Sequence, residues 1–109
     1  MRHPFDRAYY RLVYPLRQRP ALLIGSTAYS VIDLCEQGVR YLYDDARVPR
    51  VGDEIRGRLV LPSGTELEVA GTIIRVTPPH AAANLSKGVP FGVMMEEQRY
   101  LQQRLAGWQ

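Results

Sequence analysis

Residues 27–43 read TAYSVIDLCEQGVRYLY, and this stretch decides the fold because it predicts two successive β-strands. Residues 27–34 are rich in β-branched and aromatic side chains, which favour extended backbone. After Gly38, Val39, Tyr41 and Tyr43 alternate with Arg40 and Leu42, which gives one largely apolar face. An alternation of period two is typical of a strand that buries one face. The stretch therefore indicates a protein built mainly of β-strands.

Segments on both sides of this stretch continue the pattern. Apolar or alternating residues predict further strands at 21–24, 55–61 and 67–76, joined by turns that contain glycine and proline. Residues 77–90 hold a Pro-Pro pair, an alanine run and a glycine, so we expect the longest connecting loop there. Residues 91–95 are short and apolar and are predicted to form the closing strand.

Helical spacing of apolar residues follows, and it predicts a C-terminal α-helix over residues 96–107. Strands that recur roughly every eight to twelve residues and end in one helix indicate a small antiparallel barrel. We therefore predict an all-β dominated fold, a six-stranded antiparallel β-barrel. The expected single domain, residues 1–109, comprises a flexible basic N-terminal arm (residues 1–19), the barrel (residues 20–95) and the helix.

Composition limits the possible classes of function. A chain of 109 residues suffices for one domain but leaves no room for a separate catalytic module. One cysteine excludes an intrachain disulfide, and no residues cluster at zinc-ligand spacing, so we expect a cytoplasmic protein without metal or cofactor. No apolar run approaches the ~20 residues of a membrane helix. The sequence also lacks a phosphate-binding loop or a catalytic motif, so we do not expect an enzyme.

The stretch between the two predicted strands contains candidate binding residues. An ionised carboxylate only accepts hydrogen bonds, so Asp33 suits a donor-rich group such as the N1–H and exocyclic amine of guanine. Cys35 lies two residues further on and therefore on the same face of an extended strand. Gly38 permits a turn with positive φ and close approach of the backbone to a ligand. The structural alternative is a loop carboxylate that caps a turn.

The N-terminal arm carries the complementary chemistry. Its five arginines and one aspartate give it a net charge of +4, whereas the rest of the chain carries −1 of the formal total of +3. Arginine pairs with guanine O6 and N7 or with phosphate, and its plane stacks on purines. Arg7 and Arg11 therefore suit a clamp on an anionic ligand, and the asymmetry disfavours a surface for long nucleic acid. A disordered basic tail is the alternative.

Two spaced motifs combine these residues. Arg7 and Arg11 form R-x-x-x-R, and Asp33, Cys35 and Gly38 form D-x-C-x-x-G. Together they resemble the motifs of the PilZ domain family of bacterial cyclic di-GMP receptors, in which serine usually occupies the position of Cys35. The order of the later segments is also similar to that family.

The resemblance covers roughly residues 5 to 107 and implies reversible binding of cyclic di-GMP. It implies that Arg7 and Arg11 hold guanine edges and phosphates, and that Asp33 accepts hydrogen bonds from a guanine. Cys35 would take the serine position, and Gly38 would allow close approach of the ligand. In the family the arm folds over the nucleotide, which implies a changed surface for a downstream protein partner.

Two other functions use the same residues differently. Some PilZ-type domains are adaptors that act through protein contacts and do not bind the nucleotide. Such members commonly lack the arginine pair, so Arg7 and Arg11 favour the receptor. A small barrel that binds single-stranded nucleic acid would use scattered basic and aromatic residues. The mixed charges of the predicted strands disfavour it.

Overall fold

The computed structural model describes residues 11–44 and 46–106. The strands and helix of these residues are, in chain order, β1 (Leu12–Val13), β2 (Ala21–Ile24), β3 (Thr27–Cys35), β4 (Gly38–Leu42), β5 (Glu54–Val60), β6 (Glu66–Thr77), β7 (His80–Lys87) and α1 (Phe91–Ala106). A short 3-10 helix, Leu16–Gln18, separates β1 from β2. In the described part of the chain no helix is long and apolar enough to cross a membrane.

The strands close into an antiparallel β-barrel. Neighbours follow the order β3, β2, β5, β6, β7, β4, and β4 pairs back onto β3. Six strands therefore form a ring, as the sequence predicted. The short strand β1 adds to β3 beyond the end of β2, with Leu12 opposite Leu34 and Val13 opposite Asp33.

Alternating residues of the strands fill the barrel with one hydrophobic cluster. Leu22, Leu34 and Leu59 come from three different strands and are completely buried. Met94 and Leu101 of α1 belong to the same cluster, so the helix buries its apolar side against the barrel. Burial of this apolar surface is the main favourable contribution to folding.

The prediction of a long loop at residues 77–90 was wrong. Strand β7 occupies most of that segment and pairs with β4 on one side and β6 on the other. Only the Pro78-Pro79 turn separates β6 from β7. Alanine has low strand propensity, so the alanine run resembles loop sequence. Ala81 and Ala83 are nevertheless buried inside the barrel, because tertiary packing outweighs the local preference.

The predicted closing strand at residues 91–95 is helical. The Pro90 carbonyl accepts hydrogen bonds from the amides of Val93 and Met94 at 3.0 and 3.1 Å, which starts α1 five residues before the predicted position. The apolar run is the buried side of the first helical turns, and Met94 has no exposed surface. A short apolar run does not by itself distinguish a strand from a buried helix.

The predicted flexible arm is partly built into the barrel. Residues 1–10 lie outside the described residues. Beyond them, β1 pairs with β3, and the amide of Tyr14 donates to the carbonyl of Ile32 at 3.0 Å. Tyr14 is buried. Residues 12–14 of the predicted arm therefore lie beside β3 in the structure.

Candidate functional site

The β3–β4 hairpin gathers three of the predicted binding residues on one surface. Its register places Cys35 opposite Gly38 and Asp33 opposite Arg40, with Glu36-Gln37 at the tip. The intervening pair, Leu34 and Val39, is buried in the core. Because side chains alternate across a strand, the Asp33–Arg40 and Cys35–Gly38 pairs lie on the outer face of the barrel.

A β-bulge at Ile32 sets the direction of Asp33. The β3–β4 register shifts between Val31 and Asp33, so Ile32 is an extra residue on β3. Val31 and Leu34 both face the core although they are three residues apart. Without the bulge, strict alternation from Val31 would direct the Asp33 carboxylate into the core. Bulges commonly reorient a side chain in this way.

Asp33 forms an ion pair with Arg40 across the hairpin. Arg40 Nε donates to Asp33 Oδ2 at 2.9 Å, and Arg40 Nη2 donates to the same oxygen. The Asp33 side chain is 9% exposed and that of Arg40 is 40% exposed. Charge-assisted hydrogen bonds of this kind are stronger than neutral ones. The pair therefore holds the carboxylate in place at the edge of solvent.

Arg40 is the residue of this site that the sequence did not identify. On its own it resembles an ordinary solvated strand arginine. The signal lies in the hairpin register, because a two-residue connection between Cys35 and Gly38 places Arg40 opposite Asp33. An acid and a base opposite each other across a hairpin form a favourable pair.

Gly38 provides space and does not form a turn with positive φ. The residue pairs within β4, and its φ is not positive. A Cβ atom at this position would lie 3.1 Å from Cys35 Sγ and 3.7 Å from the Ala83 carbonyl oxygen. Its absence keeps the surface beside Cys35 open. The expectation of close approach is compatible with this geometry, but the expectation of a positive φ was wrong.

Only one arginine of the predicted clamp, Arg11, lies within the described residues. Arg7 lies outside the described residues. Arg11 is exposed and immediately precedes β1. The β1–β3 register, continued by one residue, places Arg11 opposite Cys35. Because Leu12 faces the core, Arg11 lies on the outer face beside the β3–β4 hairpin.

Within the described ranges, no three His, Cys, Asp or Glu side chains are placed to hold a metal ion. The candidate site consists of the Asp33 carboxylate paired with Arg40, the Cys35 thiol, the space beside Gly38 and the Arg11 side chain. Such a set offers hydrogen bonds to a base edge and charge to a phosphate.

Comparison with known proteins identifies the family. The sequence model of the PilZ domain matches residues 5–107. This chain belongs to the PilZ family. Comparison of the PilZ chain with curated proteins gives no significant match.

Solved structures share the fold of this PilZ domain. It is similar to an uncharacterized protein of Legionella, with a TM-score of 0.63 and 11% identity over 90% of this chain and 99% of the other. It is also similar to the Bacillus subtilis inhibitor of motility, MotI/DgrA, with a TM-score of 0.63 and 11% identity over 88% of this chain. The match covers 50% of the MotI/DgrA chain. At this identity the likeness concerns the fold alone.

Proposed function

We propose that this PilZ domain is a cyclic di-GMP receptor that acts by reversible binding in the cytoplasm, without a catalytic step or metal. The observation that carries the proposal is the placement of Arg11, Asp33, Cys35 and Gly38 on one outer surface. These residues come from the segment before β1 and from the β3–β4 hairpin. The motif spacing therefore corresponds to a spatial cluster.

The ion pair between Asp33 and Arg40 is compatible with guanine recognition. Both hydrogen bonds from Arg40 end on Oδ2. A carboxylate has about four acceptor positions. Asp33 can therefore accept from the N1–H and exocyclic amine of a guanine while it stays paired with Arg40, which also orients the carboxylate for the incoming base.

Tyr14 connects the proposed ligand-binding segment to helix α1, which offers a way for the ligand to affect a protein partner. The Tyr14 hydroxyl, in the segment that follows β1, donates to Glu97 Oε1 of α1 at 3.2 Å. A ligand that holds Arg11 also restrains β1 and Tyr14, which lie one and three residues further along the chain. In this proposal the bound arm and the part of α1 around Glu97 form the surface that a downstream protein recognises.

Calorimetry with a set of variants tests the receptor. We expect the wild type to bind cyclic di-GMP, and we expect Arg11→Ala and Asp33→Asn to weaken binding by roughly tenfold or more, since each loses a charge-assisted contact. Arg58→Ala is the matched control, because Arg58 is an exposed strand arginine on β5 whose partner is Glu66. Absence of binding by the wild type would contradict the proposal.

One observation favours the alternative of a nucleotide-independent PilZ adaptor. Arg40 already supplies the Asp33 carboxylate with a cation, so the residue has a structural role without any ligand. The adaptor predicts no response to cyclic di-GMP or to a short oligonucleotide. A single-stranded nucleic-acid binder would respond to the oligonucleotide instead.

A further inference from the structure

A second arginine lies close to Arg40 across strand β7. Arg40 pairs with Ala82, and Ala82 pairs with Arg75 of β6. The β6–β7 register shifts between Ile73 and Arg75, so Ile74 is a bulged residue and Arg75 lies opposite Ala82 on the outer face. Adjacent strands are about 4.8 Å apart. The two arginine backbones are therefore separated by about two strand spacings, with only a methyl group between them.

The space above that methyl group is a cleft, which we name the Arg40–Arg75 trough. Its volume is about 160 Å³, and its lining consists of Arg40, Arg75, Thr77, His80, Ala81 and Ala82. A water molecule occupies about 30 Å³ of the liquid, so a phosphate-sized anion has room. Thr77 and His80 are opposite each other at one end of the trough. Their hydroxyl and imidazole groups add hydrogen-bond donors.

The charges of the trough favour an anion. Arg75 is exposed, and within the described residues it forms no salt bridge with a carboxylate. Arg40 uses Nε and Nη2 to bind Asp33, which leaves the Nη1 donors outside that pair. Arg40 and Arg75 both line the trough, and two guanidinium groups suit the several acceptor oxygens of a phosphate group.

We propose that the Arg40–Arg75 trough is a binding subsite for a phosphate or phosphodiester group. The proposal rests on the proposed function for the source of that group, which is the cyclic dinucleotide held by Arg11 and Asp33. Free phosphate has the same chemistry and is the other possible source. Arg40 then has two partners: its Nε edge binds the Asp33 carboxylate, and its remaining nitrogen faces the phosphate.

Titrations of the full chain, monitored by the NMR signals of its backbone amides, test cyclic di-GMP and free phosphate separately. Cyclic di-GMP and inorganic phosphate are added in separate experiments, and the amides of Arg75, His80 and Ala82 are monitored. We expect both ligands to shift these signals in the wild type. Arg75→Ala should weaken cyclic di-GMP binding about tenfold, as expected for loss of a charge-assisted contact. Arg58→Ala removes the same charge from β5 and should change the affinity less than twofold.

Failure of the trough and failure of the receptor give different results. If Arg11→Ala loses cyclic di-GMP while Arg75→Ala binds as tightly as Arg58→Ala, the receptor stands and the trough is overturned. If the wild type does not bind cyclic di-GMP, the receptor fails and the phosphate titration decides the trough. Phosphate shifts at Arg75, His80 and Ala82 that disappear in Arg75→Ala would then support it, and unchanged signals would overturn it.

Discussion

The side chain of Arg40 contributes to stability as well as to the candidate site. Its removal leaves the nearly buried Asp33 carboxylate without the two donors that it has in the structure. We expect Arg40→Ala to lower the free energy of unfolding by about 1–3 kcal/mol, measured by urea denaturation. Arg58→Ala, in an exposed pair, should cost about 0–1 kcal/mol. Equal effects of the two substitutions would show that the Arg40–Asp33 pair behaves as an ordinary surface ion pair.

Cys35 offers a test of the serine position. A hydroxyl is a stronger hydrogen-bond donor than a thiol, so Cys35→Ser should bind cyclic di-GMP equally well or more tightly. The gain is limited to about tenfold, because a neutral hydrogen bond contributes about 0.5–1.5 kcal/mol. Calorimetry measures the change, with Cys35→Ala as the control that lacks a donor. A clear loss of affinity in Cys35→Ser would mean that the thiol does not stand in for the hydroxyl.

At the scale of single residues, the sequence predicted which side chains share a face of the strand, but it did not predict which side chains pair across strands. The placement of Asp33 and Cys35 on one face follows from their spacing of two, and the structure confirms it. The bulge at Ile32 and the pairing of Arg40 with Asp33 depend on contacts between strands. A one-residue shift of register changes which face every following side chain occupies, and a linear pattern does not contain that information.

The contact between Tyr14 and α1 joins elements that are far apart in the chain. Glu97 is 1% exposed, and in the described part of the chain its Oε2 atom has no hydrogen-bond partner. Removal of the Tyr14 hydroxyl leaves this carboxyl group with fewer donors. Tyr14→Phe should therefore lower the free energy of unfolding by about 1–3 kcal/mol.

A double-mutant cycle with Glu97→Leu measures the coupling between the segment that follows β1 and helix α1, because leucine removes the acceptor of the Tyr14 hydroxyl. Glutamine keeps an acceptor for Tyr14, so Glu97→Gln is the conservative control and should be neutral or stabilising. Thermal unfolding followed by circular dichroism gives both values. If Tyr14→Phe has the same effect with Glu97 and with an apolar residue such as leucine at that position, the hydrogen bond does not couple the two elements.

Elements were predicted well where the pattern was long and poorly where it was short. The strands around residues 27–43 and 55–76 have a clear period of two, and the structure contains them. Strand β7 has small residues at its buried positions, and its sequence carries little strand signal. The start of α1 was misplaced for the opposite reason, because an apolar helical turn has the same composition as a buried strand.

Burial of Tyr41 in the barrel makes its hydroxyl harder to deprotonate in the folded protein than in the unfolded chain. Burial, followed by the charges of Tyr29 and Asp53, raises the pKa of Tyr41 from 10.0 to about 12. The Tyr29 and Tyr41 rings lie 5.4 Å apart between centroids. The native state therefore keeps its proton at pH values at which the unfolded chain loses it. This contribution to stability is complete below pH 10 and is lost as the pH rises through about 12.

Alkaline denaturation tests this dependence on pH. Between pH 10 and 12 the free energy of unfolding of the wild type should fall more steeply than that of Tyr41→Phe, which lacks the titrating group. Urea titrations at several pH values measure both slopes. Parallel slopes would show that the Tyr41 hydroxyl has the same proton affinity in the folded and unfolded chains.

Hydrogen exchange of the whole molecule, with and without cyclic di-GMP, tests the central claim most directly. The claim is that the nucleotide holds the N-terminal arm against the β3–β4 hairpin. In the wild type we expect the amides of residues 5–11, which precede β1, to exchange more slowly when the ligand is present, and we expect Asp33→Asn to show less protection at the same concentration. Unchanged exchange of residues 5–11 in the wild type at every ligand concentration would contradict the account.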